Sequence, residues 1–200
     1  MTLISVSDGQ WGFLKGNTLQ ARGTGRTFLD IAQSKDGKIF AVTGSSLYRL
    51  NRSGQSSFVG SLGIGSMNAL GFDAKGNLFG AAGQGFYRIN QGTGQATLIR
   101  RIPGFSSSGD IAFDASRKQF FATSRSPGSS SDVLVSITPK GKARRVGNIG
   151  FSDVYGLRFD RGTLIGYTVR NQEISINLVT GAGRFRRVVR VGSSVTYGAA

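Results

Sequence analysis

The sequence predicts an all-β fold, a single five-bladed β-propeller of four-stranded antiparallel blades, on three observations. A unit of about 40 residues recurs along the 200-residue chain. Each unit holds four short apolar runs separated by Gly-containing turns. The two ends of the chain hold complementary parts of one further unit.

The innermost strand of each unit comes first. Leu70-Gly-Phe-Asp73 recurs as Ile111-Ala-Phe-Asp114 and Leu157-Arg-Phe-Asp160, with a degenerate copy at Ile31-Ala-Gln-Ser34. Polar turns follow at Asp36-Gly37, Lys75 to Asn77, Ser116 to Lys118 and Arg161-Gly162, then apolar runs at Ile39 to Val42, Leu78 to Ala82, Phe120 to Ala122 and Leu164 to Val169. Each such pair reads as a hairpin. The third strands alternate apolar and polar residues, as in Leu47-Tyr-Arg-Leu-Asn51 and Phe86-Tyr-Arg-Ile-Asn90, with counterparts at Leu134 to Thr138 and Ile174 to Asn177. Fourth strands fall at Ser57 to Gly60, Ala96 to Ile99, Ala143 to Val146 and Arg184 to Val189.

The N-terminal Thr2 to Ser7 and Gly12 to Lys15 align with a second and third strand, so the first blade lacks an innermost strand of its own. Val195-Thr-Tyr-Gly-Ala-Ala200 matches the opening of a blade and supplies it. The predicted single domain, residues 1–200, therefore divides into blades at 195–200 plus 1–26, 27–66, 67–106, 107–150 and 151–194. Strand 195–200 joining strands within 2–26 closes the ring and removes edges that invite aggregation.

Composition narrows the chemistry. The chain has no His, no Cys and a single Glu, Glu173. Disulfides, thiolate or imidazole metal ligation, Ser/His nucleophilic catalysis and a Glu acid/base pair are thereby excluded. The expectation is a non-enzyme with no cofactor and no metal site. No apolar run is long enough to span a bilayer, and Met1 to Asp8 carries no export signal, so the expectation is no membrane insertion and a cytoplasmic location.

Net charge is +15, with 18 Arg and 7 Lys. That far exceeds the roughly 2 to 8 charges that solubility asks of a small domain. From Lys140 to Arg190 eleven basic residues face three acidic ones. Arg100, Arg101, Lys142, Arg144, Arg145, Arg184, Arg186, Arg187 and Arg190 fall on or beside predicted fourth, outermost strands, which predicts a basic rim that binds an acidic protein complex. Nucleic acid is the second expectation, weakened by the scarcity of aromatics among these Arg residues, Phe185 excepted.

Other candidates are weighed against structural roles. Asp73, Asp114 and Asp160 suit turns that accept backbone N–H bonds. Asp30, Asp110 and Asp153 precede innermost strands and are expected to line one channel mouth; a propeller hydrolase or lactonase would need such an axial acid cluster, and a Ca²⁺ or Mg²⁺ ion, the alternative ligand of such oxygens, needs several of them at once. The pairs Tyr48-Arg49 and Tyr87-Arg88 read as one buried and one solvated strand face. Phe28, Phe40, Phe72, Phe79, Phe113, Phe120, Phe121 and Phe159 read as core between blades, and Trp11 as either core or surface anchor. The long segment Ser124 to Asp132 interrupts the fourth blade as a loop of open role.

The Phe-Asp turns at residues 72–73, 113–114 and 159–160, and the Tyr-Arg-Ile-Asn type of third strand at Tyr87 to Asn90, resemble those of bacterial five-bladed β-propellers of the kind common in cyanobacterial sequences. The resemblance spans the whole chain and implies the fold; the Trp-Asp and Gly-His signatures of the WD-repeat class are absent. By analogy with basic, cofactor-free linker proteins, it implies a scaffold in a larger assembly, such as a phycobilisome antenna with phycobiliproteins as partners.

Overall fold

The computed structural model describes residues 2–23, 25–126 and 128–200. Twenty strands run in chain order: β1 (Leu3–Val6), β2 (Trp11–Lys15), β3 (Thr18–Gly23), β4 (Asp30–Gln33), β5 (Ile39–Val42), β6 (Ser46–Leu50), β7 (Ser56–Ser61), β8 (Ala69–Phe72), β9 (Leu78–Ala82), β10 (Gly85–Ile89) and β11 (Ala96–Arg101). They continue as β12 (Ser107–Asp114), β13 (Gln119–Ser124), β14 (Val133–Ile137), β15 (Ala143–Asn148), β16 (Val154–Asp160), β17 (Thr163–Thr168), β18 (Gln172–Ile176), β19 (Gly183–Val188) and β20 (Thr196–Ala199). Four sheets are sequential meanders, β4 to β7, β8 to β11, β12 to β15 and β16 to β19; the fifth has the order β20-β1-β2-β3. The ring is closed by the C-terminal strand, as the sequence predicts. No helix among the described residues is long and apolar enough to cross a membrane.

Near-continuous runs of apolar and small residues, every one buried in β1, β5 and β9, bury both faces of the inner strands, and the resulting cores lie between blades. Five separate clusters fill the five seams. Trp11, Phe28 and Tyr48 pack between the first two blades, and Phe79, Phe86 and Phe120 form a mutually packed triad between the third and fourth. Ile4, Val6, Ile165, Tyr167 and Ala199 fill the seam where the ring closes. Trp11 is 1% exposed, which settles its role as core. Each seam is thus a small hydrophobic interface of its own, and rigidity comes from all five being satisfied at once.

The third and fourth strands of every blade carry one β-bulge. The extra residue is Arg22, Val59, Ile99, Val146 or Arg186, because its neighbours pair with successive residues of the third strand. A bulge twists its strand and interrupts side-chain alternation. In the middle three blades the extra side chain is aliphatic and half-buried; in the fifth it is Arg186, which has a different task, described below.

Candidate functional site

Three features compete for the functional site: acidic groups on the axis, the basic rim, and a recess at one end of the axis.

The axial acids form a sealed lock. Asp30 opens β4 and Asp110 lies in β12; they are 0% and 1% exposed. Asp30 accepts the Ile31 N–H at 2.7 Å and the Leu70 N–H at 2.6 Å. Asp110 accepts the Ile111 N–H at 2.5 Å and the Leu157 N–H at 2.6 Å. The two carboxyl groups lie close enough to influence each other's ionisation. Ile31, Leu70, Ile111 and Leu157 belong to four different blades, so this one pair ties together four inner strands, and Gly198 of the remaining blade packs against Asp30. The register-equivalent positions in the other blades are Ala69, Gly156 and Gly198. A Cβ on Gly198 would lie 2.2 Å from Asp30 Oδ1, so a residue without a side chain is needed there to admit the carboxyl group. Burial pushes both acids up, Asp110 to about 8 and Asp30 well above the ordinary range, the charge of Asp110 adding to the effect on Asp30.

This arrangement corrects the expectation of a channel mouth lined by Asp30, Asp110 and Asp153. The first two are closed off by the inner strands they bind. Asp153 lies three residues before the equivalent position in its blade, Gly156, and takes a left-handed backbone conformation with φ 53°. Its side chain reaches the end of the axis, where Oδ1 accepts from Arg125 Nη2 at 2.8 Å and from the Tyr155 hydroxyl at 3.1 Å. Among the described residues no cluster of three acidic side chains could hold a metal ion. The turn acids behave differently: Asp73 accepts the N–H groups of Lys75 and Asn77, and Asp114 those of Ser116 and Arg117, whereas Asp160 pairs only with Arg158 at 3.4 Å.

The rim lies where the strand pattern puts it. Arg100 and Arg101 end β11, Lys142, Arg144 and Arg145 lie beside or on β15, and Arg184, Arg186, Arg187 and Arg190 lie on or beside β19. All nine are exposed, on the outer strands of three consecutive blades. Two of them form ion pairs, and Arg145 Nη2 donates to Asn148 Oδ1 at 2.5 Å. Arg186 Nε donates to Glu173 Oε1 at 3.1 Å and Arg187 Nη2 to Oε2 at 2.8 Å, while the Tyr167 hydroxyl donates to Oε2 at 3.0 Å. The bulge makes this possible by presenting successive Arg residues to the one acid. Burial would raise the Glu173 carboxyl, but the bond and charge of Arg187 outweigh it and hold it below its usual value. Tyr167, in turn, is pushed up to about 12 by burial and by that carboxylate. The other seven form no ion pair among the described residues.

Glu173→Gln leaves Arg186 and Arg187 with only a neutral partner at the closing seam. The expected loss is about 1 to 3 kcal/mol in denaturant unfolding at neutral pH, shrinking as acid protonates the wild-type carboxyl. The sign follows from the depressed value: the stabilisation is present above the unfolded pKa and fades as pH falls through the folded one.

The recess was not legible as a motif. The positions immediately before Asp30, Ala69, Asp110, Gly156 and Gly198 are Leu29, Asn68, Gly109, Tyr155 and Tyr197, one per blade, and together with Ser106, Ser107, Ser108 and Arg125 they line a cavity of about 380 Å³. The Phe-Asp turns already set Leu29, Asn68, Gly109 and Tyr155 in register, but these residues differ in type from blade to blade, so no motif marks the ring of five. Arg125 comes from the long loop of the fourth blade. The same loop ends at Asp132, whose carboxylate accepts the Val154 N–H at 2.8 Å and so fastens the fourth blade to the fifth.

No protein-family model and no curated protein matches the chain. Solved structures do. A chain of the nidogen/laminin complex superposes with a TM-score of 0.70 at 12% identity, covering 99% of this chain and 96% of that one. A symmetrical protein of de novo evolutionary emergence gives 0.65 at 15% identity, over 100% and 97% of the two chains. Virginiamycin B lyase from Staphylococcus aureus gives 0.58 at 11% identity, over 92% and 69%. At such identities the likeness is one of fold, and the group mixes an enzyme with a protein from a complex between proteins.

Proposed function

We propose that the chain is a non-catalytic binding module whose Arg-rich arc docks an acidic surface of a partner protein within a larger assembly. The observation that carries this reading is the run of seven exposed basic side chains, Arg100, Arg101, Lys142, Arg144, Arg145, Arg184 and Arg190, none ion-paired among the described residues, along three adjacent outer strands. Arg suits carboxylates because its planar fork binds them in two-pronged fashion. The arc is not purely polar. Leu98, Phe185 and Val188 are each about half exposed on the same strands, and Val179 is 76% exposed in the turn before β19. Apolar side chains set among Arg residues are the composition of a protein-binding surface.

Basic residues also guard sheet edges against misassembly. That role does not account for their distribution, since β7, Ser56–Ser61, is an equally exposed outer strand with no charge at all. The non-catalytic part of the reading is supported by the sealed state of the axial acids and by the lack of His and Cys. An antenna as the particular assembly is supported by the resemblance of the repeats alone.

The test reverses charge without touching the seam. Arg144→Glu, Arg145→Glu and Arg184→Glu together take the net charge from +15 to +9 while sparing the Glu173 cluster. Affinity for the partner is expected to fall by roughly tenfold or more, from lost pairs worth about 0.2 to 1 kcal/mol each plus new repulsion. Unaltered affinity measured against the wild type would overturn the reading. Binding that nuclease abolishes would transfer the arc to nucleic acid, with a salt slope set by phosphate contacts.

A further inference from the structure

We infer that the axial recess is a binding site for a neutral pyranoside sugar. Its wall is built from register-equivalent positions that differ where the rest of the repeat agrees. One residue further along, the five blades carry Asp or a small residue, and two further along Ile31, Leu70, Ile111, Leu157 and Ala199, all aliphatic. At the ring itself they carry Leu29, Asn68, Gly109, Tyr155 and Tyr197. A fold that only had to close its ring has no use for such diversity at that one level.

The chemistry fits a polyhydroxylated ring. Tyr155 and Tyr197 stand edge to face with centroids 6.1 Å apart, offering aromatic surface to the C–H face of a sugar. Asn68 is held by Ser107, with Nδ2 donating to the Ser107 carbonyl at 3.1 Å and Oδ1 accepting the Ser107 hydroxyl at 2.7 Å, so its amide is oriented before any ligand arrives. The Arg125 guanidinium and the Asp153 carboxylate, joined at 2.8 Å, form a pair of planar polar groups suited to adjacent hydroxyls. The volume of about 380 Å³ is that of a small-ligand site.

The charge of the recess selects a neutral ligand. The protein carries +15 overall, yet the one basic residue in the recess is neutralised by Asp153, so the recess lacks the unpaired cation that a phosphate or carboxylate would require. Ser106, Ser107 and Asn68 add further polar groups to its wall.

The experiment is protein-observed NMR of the full labelled chain, titrated with methyl glucopyranoside, galactopyranoside and mannopyranoside and, separately, with inorganic phosphate. At least one pyranoside is expected to shift the amides of Asn68, Ser107, Ser108, Tyr155 and Tyr197 together, with a dissociation constant of about 1 mM or tighter. Added salt is expected to leave that affinity unchanged, since no net charge is involved. Tyr197→Ser and Asn68→Ala, on different blades, are each expected to weaken it by at least about tenfold, worth 1.4 kcal/mol, while the remaining amide shifts report an intact fold. The inference is overturned if no pyranoside moves these amides as a group, if the movement is confined to the rim, or if phosphate alone moves them in a salt-sensitive way.

Discussion

Deleting residues 195–200 is expected to abolish cooperative unfolding or to lower the melting temperature by roughly 10 °C or more, the equivalent of several kcal/mol in a chain of this size. Three losses coincide. The edge of β1 is bared, and with it the bonds in which the Leu3 N–H donates to the Ala200 carbonyl at 2.8 Å and the Ala200 N–H to the Leu3 carbonyl at 2.9 Å. The closing seam loses Ala199 from its core, and Thr196 and its bond to Asn171 go too. The axis loses its cover too, since the Gly198 backbone no longer packs against Asp30. Calorimetry of the shortened chain checks this; a sharp transition within a few degrees of wild type would show that the ring does not depend on its latch.

Asp110→Ala is the second large effect. It orphans two buried backbone donors, those of Ile111 and Leu157, and the cost is about 2 kcal/mol or more at roughly 1 to 3 kcal/mol for each unsatisfied group. Asp110→Asn keeps an acceptor and is expected to be milder in stability yet to alter its pH dependence. The wild-type pair holds protons in the folded state that free carboxyl groups have already lost, because burial raises both acids. Stability from this source is therefore complete below the unfolded value near 3.8 and is lost as pH rises through about 8, the value to which Asp110 is pushed. The slope approaches 1.4 kcal/mol per pH unit for each proton released. With no His and no Cys, little else titrates in that interval, so the signal is unusually clean. Chemical unfolding at pH 5, 7 and 9 should give falling stability for wild type and a flatter profile for Asp110→Asn. Equal profiles would contradict the shared-proton lock.

The blades were legible because a repeat writes its period into the sequence several times over. Leu70, Ile111 and Leu157 announce the inner strands, and the alternation at Leu47 to Asn51 and at Phe86 to Asn90 announces the third. The composite blade was legible for the same reason, since Val195 to Ala200 is a recognisable fragment of the unit. Side-chain partnerships across seams were not. Nothing in a local window says that Arg186 and Arg187 turn toward Glu173, because that depends on a bulge and on a strand thirteen residues earlier. The offset of Asp153 from Asp30 and Asp110 likewise rests on register, and a slip of three residues separates a sealed axial group from one at the rim of the recess. Arg125 came from a loop with no counterpart in the other units, so internal comparison had nothing to align it with.

The rim is the feature on which the proposed function rests, and isolation of the tagged 200-residue chain from its host at low salt, with and without nuclease and beside the Arg144, Arg145 and Arg184 charge-reversed variant, tests that proposal most directly. Retention of an acidic protein in fixed ratio by the wild type, indifferent to nuclease and lost from the variant, is the predicted result, and pigmentation of that protein would identify an antenna. Equal retention by wild type and variant, or association that disappears with nuclease, would contradict the account.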